Sequence, residues 1–148
     1  MTDWKSLMSK GCRDVSHLQE QLNILDDELA SLCQAQETYP MLTNPYYLSL
    51  INPDDPDDPI RKLCVPDLEE LDLSGVEDTS GEASNTVTNG LQHKYSETAL
   101  VLATGECAMY CRHCFRRRFV GTSQDESVQD INAVCDYINE HSEISNVL

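Results

Sequence analysis

No apolar run in the 148-residue sequence is long enough to cross a bilayer. The N-terminal stretch MTDWKSLMSK is interrupted by Asp3, Lys5 and Lys10, which excludes a secretory signal pattern. A soluble, cytoplasmic protein is the expectation. Positive charge is scarce: ten Lys and Arg stand against 26 Asp and Glu, a formal net charge of −16. That balance argues against general binding to nucleic acid or to an anionic membrane. There is no internal repeat, and no Lys or Arg after Arg118. Seven cysteines is an odd number, so complete intramolecular pairing is impossible. A reduced compartment, with metal or cofactor chemistry at the clustered thiols, fits better than a disulfide framework. Cys12, Cys33, Cys64 and Cys135 are scattered and read as small core or surface residues.

The charge is unevenly placed. Residues 53–82 hold eleven acids against Arg61 and Lys62 alone, while half of the ten Lys and Arg lie in 94–118. An acidic chain with one local basic site suggests a pocket for a small anion, such as a carboxylate or phosphate, rather than a polymer track.

Along the chain, Leu18, Leu22, Leu25, Leu29 and Leu32 recur at helical spacing. Asp14 or Ser16 can cap that helix, Gln19 offers a capping-box partner, and the helix should end near Tyr39-Pro40. A short apolar helix is expected after Pro45. NPDDPDDPIRK reads as a rigid acidic loop, since its three prolines fix φ and lack donors. Residues 1–66 thus form a helical region, and the polar residues 67–92 an exposed connector. Thr98–Thr104 is a continuous apolar run, the look of a strand buried on both faces in a parallel sheet. A strand of that kind needs a neighbour on each side, and only residues 144–148 read as the start of one. Between them, a capping box at Ser123–Glu126 and the face Val128, Ile131, Val134, Cys135 and Ile138 mark an amphipathic helix. The fold class is α/β, with strand, loop, helix and strand making one βαβ unit in 93–148. The functional loop sits at the carboxyl end of its first strand, where α/β folds build sites.

That loop is GECAMYCRHCFRRRF, with Cys107, Cys111 and Cys114 spaced C-x3-C-x2-C. A structural zinc site wants four ligands, usually as two separated pairs. His113 adjoins Cys114 and would strain a tetrahedron. Three thiolates on one loop suit a 4Fe–4S cluster with one iron left open.

C-x3-C-x2-C after a buried strand resembles the signature of radical S-adenosylmethionine (SAM) enzymes. NPYYLSLINPDDPDDPIRK at 44–62, GLQHKYSETALVL at 90–102 and ECAMYCRHCFRRRFVG at 106–121 resemble the lysine 2,3-aminomutase branch. With Trp4 and the first helix, the resemblance covers essentially the whole chain. It implies the N-terminal portion of a (β/α) radical SAM barrel, truncated as its second strand begins. It further implies a 4Fe–4S cluster on Cys107, Cys111 and Cys114, SAM on the open iron, and a 5′-deoxyadenosyl radical. With pyridoxal 5′-phosphate (PLP), the amino group of an amino acid, lysine first among candidates, moves from C2 to C3. The cofactors carry such chemistry and the protein supplies position and electrostatics. Arg116 matches the position that pairs with the substrate carboxylate. His113 would line the cofactor pocket, and Lys94 and Tyr95 lie where the family holds PLP. The lysine that carries PLP and the SAM-binding glycines have no counterpart in 1–148. Arg117 and Arg118 read as solvated or ion-paired arginines facing the acidic segment, and His17 and His141 get no role. A reducing electron donor is implied, and a homo-oligomer is compatible. Two other readings stay open: modification of a lysine within a protein, as in relatives that modify an elongation factor, and a non-catalytic iron–sulfur or zinc-binding module.

Overall fold

The computed structural model describes residues 3–72, 74–122 and 125–148. They form two compact units, Met1–Val76 with Cys107–Arg118, and Glu77–Glu106 with Phe119–Leu148.

The first unit is helical. α1 (Trp4–Ser9) starts at Asp3, whose carboxylate accepts from Lys5 N–H. The leucine stripe that predicts one helix is split in two. Val15–Leu18 is a 3-10 turn capped by Asp14, and α2 runs only over Asp26–Thr38. Between them Asn23 takes a left-handed φ of 51°. The Leu22 carbonyl accepts from the Arg61 guanidinium at 3.1 Å. With that carbonyl engaged outside the ladder and Leu25 extended, the helix restarts at Asp26. Asp26, Asp27 and Glu28 then lie favourably against its positive end. Leu18, Leu22 and Leu32 are buried together all the same, while Leu25 is 66% exposed.

Two of the four Asx-Pro pairs start helices. Asn44 caps α3 (Pro45–Leu48) and Asp58 caps α4 (Pro59–Cys64), each with proline in the first turn. The acidic loop therefore stops at Asp58, and Ile60, Arg61 and Lys62 are helical. Hydrogen bonds from the Arg61, Asn52 and Ile60 amides hold the Asp58 carboxyl below its usual range. Within the segment expected as a connector, Leu68–Leu71 forms a 3-10 turn closed by a reciprocal Asp67–Glu70 capping box. α5 (Glu82–Asn85) and β1 (Thr86–Thr88) follow.

In the second unit β1, β2 (Leu91–Tyr95), β3 (Thr98–Val101) and β4 (Asn146–Val147) form one sheet in that order. β1, β2 and β3 are antiparallel, and β3 and β4 are parallel. The expected strand at 98–104 ends at Val101 and has a neighbour on both sides. β2, read from the sequence as part of a motif, supplies the one that sequence reasoning lacked. Its buried start, Leu91-Gln92, is short and its end, Lys94-Tyr95, exposed, so it carries little hydrophobic signal. Of the β3 residues only Ala99 is buried.

α6 (Ile131–Glu140) connects β3 to β4, as the βαβ pattern requires. Ser123 and Gln124 of the expected capping box lie outside the described residues, and the cap of α6 is Asp130. Val128 is not helical, because its N–H bonds to the Leu102 carbonyl at 2.9 Å. Ile131 and Cys135, expected on the buried face, are exposed, whereas Val134 packs with Leu91 and Ala99 and Ile138 lies against them. His93 ties β2 to α6: its Nε2 bonds to the Ser96 carbonyl at 3.1 Å and its Nδ1 to the Tyr137 hydroxyl at 3.0 Å. A carbonyl only accepts, so Nε2 donates to it. Tyr137 also stacks on His141, with centroids 3.8 Å apart. The class is α/β, with an open mixed sheet among the described residues. No helix among them is long and apolar enough to cross a membrane.

Gly90 closes the β1–β2 turn at φ 76°, and an added Cβ would fall 2.3 Å from Val128 N. Gly90→Ala is expected to destabilise the second unit by about 1–3 kcal/mol in thermal or urea unfolding. Gly75→Ala, with nothing within 4 Å, is the control. Equal effects of the two would contradict the close approach.

Candidate functional site

The cysteine loop folds as part of the first unit, and backbone bonds fix it at both shoulders. Tyr110 N–H donates to the Leu42 carbonyl at 2.8 Å and Arg112 N–H to the Leu63 carbonyl at 2.9 Å. Met109 is buried in the helical core. Tyr110 is buried too, with its hydroxyl accepting from Arg13 at 3.3 Å. Two successive turns follow, Cys114 N–H to Cys111 O and Arg117 N–H to Cys114 O.

Arg112 lies between the second and third cysteines and is 7% exposed. Its Nε and Nη2 grip the two Glu70 oxygens at 2.9 and 2.7 Å. Its Nη1 and Nη2 donate to the carbonyls of Pro40 and Tyr39 at 2.9 and 3.1 Å. Glu70 is in turn held by Asp67 N–H through the capping box. A bidentate fork with two further acceptors satisfies four of the five guanidinium donors. Sequence reasoning assigned neither residue a role. The D-x-x-E pattern of Asp67 and Glu70 was the available signal for one, but nothing local announces a pairing across 42 residues.

Cys107 is exposed, Cys111 and Cys114 are half-buried, and all seven cysteines are free thiols. Burial pushes the Cys111 thiol up, and the like charges of Cys114 and Cys107 push it further. The three thiols thus share one electrostatic neighbourhood. Among the described residues, no three His, Cys, Asp or Glu side chains are drawn into a ready metal cage. The donor set still fits a thiolate-held cluster in its chemistry: three unpaired soft ligands on one anchored loop.

The other predicted residues divide between the units. His113 is exposed on the same loop, at a cleft of about 640 Å³ that Arg112, Arg117, Glu70 and Asp67 also line. Arg116 is half-buried with its guanidinium 4.8 Å above the Phe115 ring. Arg117 stands 4.1 Å over the Tyr39 ring, and Arg118 bonds to the Phe115 carbonyl at 3.4 Å. Lys94 and Tyr95 lie on β2 of the second unit, both exposed. Lys94 donates to the Ser80 carbonyl at 3.1 Å. The structure brings Cys107, Cys111, Cys114, His113 and Arg116 onto one loop and leaves Lys94 and Tyr95 in the other unit.

No family model matches the chain. Individual proteins do. An L-lysine 2,3-aminomutase of Clostridium subterminale is 36% identical over 149 residues, taking in 99% of this chain and 36% of that protein. One of Acetoanaerobium sticklandii matches at the same identity and coverage. A glutamate 2,3-aminomutase of Clostridioides difficile is 34% identical over 151 residues, again 99% of this chain and 36% of that protein. The chain is therefore a partial counterpart of the 2,3-aminomutases, spanning about a third of the length of the curated relatives it matches.

Removing Glu70 strands a buried cation. Glu70→Ala is expected to lower the unfolding free energy of the first unit by about 3–5 kcal/mol, read by urea denaturation. A loss under about 1 kcal/mol, typical of an exposed pair, would contradict the buried clamp.

Proposed function

We propose that this portion of a 2,3-aminomutase-related protein supplies the cluster-binding loop of a radical SAM, PLP-dependent amino-acid 2,3-aminomutase. Cys107, Cys111 and Cys114 would hold three irons of a 4Fe–4S cluster and leave the fourth open for SAM. When bound, these groups supply the radical chemistry that lets an amino group move between adjacent carbons. The observation that carries the reading is the set of three free thiols on a single loop pinned by Arg112, in a chain matched along 99% of its length by lysine and glutamate 2,3-aminomutases.

The chain's own residues divide the work. Arg112 and Glu70 hold the loop's path and so fix the base from which the thiols extend. Arg116, braced on Phe115, presents a guanidinium suited to the carboxylate that every α-amino acid carries, lysine or glutamate alike. Lys94 and Tyr95 offer a cation and a ring for a phosphate and a pyridine. His113 borders the cofactor side of the loop.

Replacing Cys107, Cys111 or Cys114 singly with Ala is expected to abolish the visible absorbance of anaerobically reconstituted cluster, whereas Cys135→Ala leaves it intact. Full absorbance in any of the first three would remove that residue from the ligand set. In the intact enzyme, Arg116→Lys keeps the charge and loses the fork. It should cost about 1–3 kcal/mol in kcat/KM for the free amino acid, with SAM binding little changed. Undiminished kcat/KM would count against the carboxylate role.

A further inference from the structure

The thiol beside the loop that the sequence left among the scattered cysteines is Cys64, the last residue of α4 and fully buried. The bond from Arg112 N–H to the Leu63 carbonyl at 2.9 Å brings two cysteines together. The Cys64 Cα is two covalent bonds from that carbonyl carbon, and the Cys111 Cα is two covalent bonds from that amide nitrogen. Both side chains belong to the same hydrophobic core, Cys64 within it and Cys111 packed against it. Cys111 bears electrostatically on Cys64, after the burial that is the larger effect on that thiol. The Cys64 sulfur donates to the Ile60 carbonyl at 3.2 Å, a weak bond that a turn about its Cα–Cβ bond releases.

The geometry points to a modification site: in the cluster-free chain Cys64 and Cys111 form a disulfide when a small-molecule disulfide is the oxidant. Cys111, the more accessible of the two, attacks one sulfur of the oxidant as its thiolate. A mixed disulfide forms and one small thiolate leaves. Cys64 then attacks the Cys111 sulfur from the core side, the protein disulfide forms, and the second small thiolate leaves. The two protons lost by the cysteines are taken up by the released thiolates, so two cysteine thiols are oxidised and one small disulfide is reduced to two thiols. The product ties the end of α4 to the cysteine loop. It also removes Cys111 as a thiolate ligand, a consequence that rests on the cluster reading above, whereas the disulfide itself does not.

The test is to treat the reduced, cluster-free chain with oxidised glutathione, alkylate the remaining thiols, and map the peptides without reduction. The expected product joins Cys64 to Cys111 and leaves Cys107 and Cys114 alkylated. Cys64 recovered in alkylated form, or bonds only among Cys107, Cys111 and Cys114, would overturn the proposal. In parallel, oxidised chain should take up roughly tenfold less iron than reduced chain, since the thiolate is the ligand, and dithiothreitol should restore uptake. In Cys64→Ser and Cys64→Ala the reaction should stop at the mixed disulfide, with glutathione recovered on Cys111 in the peptide map, and Cys111 recovered only in alkylated form in both would overturn the order of attack. Reduced wild-type chain that takes up no iron would sink the cluster reading alone, with the peptide map still deciding the disulfide.

Discussion

The Arg112 guanidinium is the constraint on which the cysteine loop depends. It is buried, and it finds acceptors only because two separate segments meet at it: Glu70 from a 3-10 turn, and the Tyr39 and Pro40 carbonyls just after the end of α2. A buried charge with one partner removed is costly, whereas a fully bonded one is tolerated. The two segments are therefore held to each other through the loop's own arginine. The backbone bonds at Leu42 and Leu63 finish the attachment, so Cys111 and Cys114 emerge from a fixed base while Cys107 stays exposed.

This arrangement suits a loop that must present several thiolates at once. Three like charges repel, and burial alone already opposes ionisation of Cys111. A rigid base limits the conformational entropy lost when the thiols close on a metal cluster. The acidic surroundings do not contradict the local basic character, because Glu70 is consumed by Arg112 and Glu28 by Arg61. On the loop itself Arg116 and Arg117 lie over the Phe115 and Tyr39 rings, and Arg118 donates to the Phe115 carbonyl.

Local chemistry was readable from the sequence and distant pairing was not. Asn44-Pro45 announced a helix start, because cap and proline act within four residues, whereas Asp58-Pro59, read as part of a proline-rich loop, starts α4. The apolar run at Thr98 and the parallel step to Asn146 were readable from alternation of strand and helix patterns. The leucine stripe misled because period reports burial: Leu18 reaches the core from a 3-10 turn and Leu22 from the turn after it, and only the Arg61 bond to the Leu22 carbonyl shows why the helix waits until Asp26. β2 was missed because its motif is polar and half its residues are exposed. The three cysteines were proposed as ligands from their spacing, but Arg112, standing between two of them, gave no sign of its partner in Glu70.

The central claim is that this loop binds one 4Fe–4S cluster through three thiolates. Native mass spectrometry of the anaerobically reconstituted 148-residue chain tests it most directly. The account predicts a single added mass of four irons and four sulfides per chain. A chain that instead gains one zinc or iron ion without sulfide, or no mass at all, would contradict it.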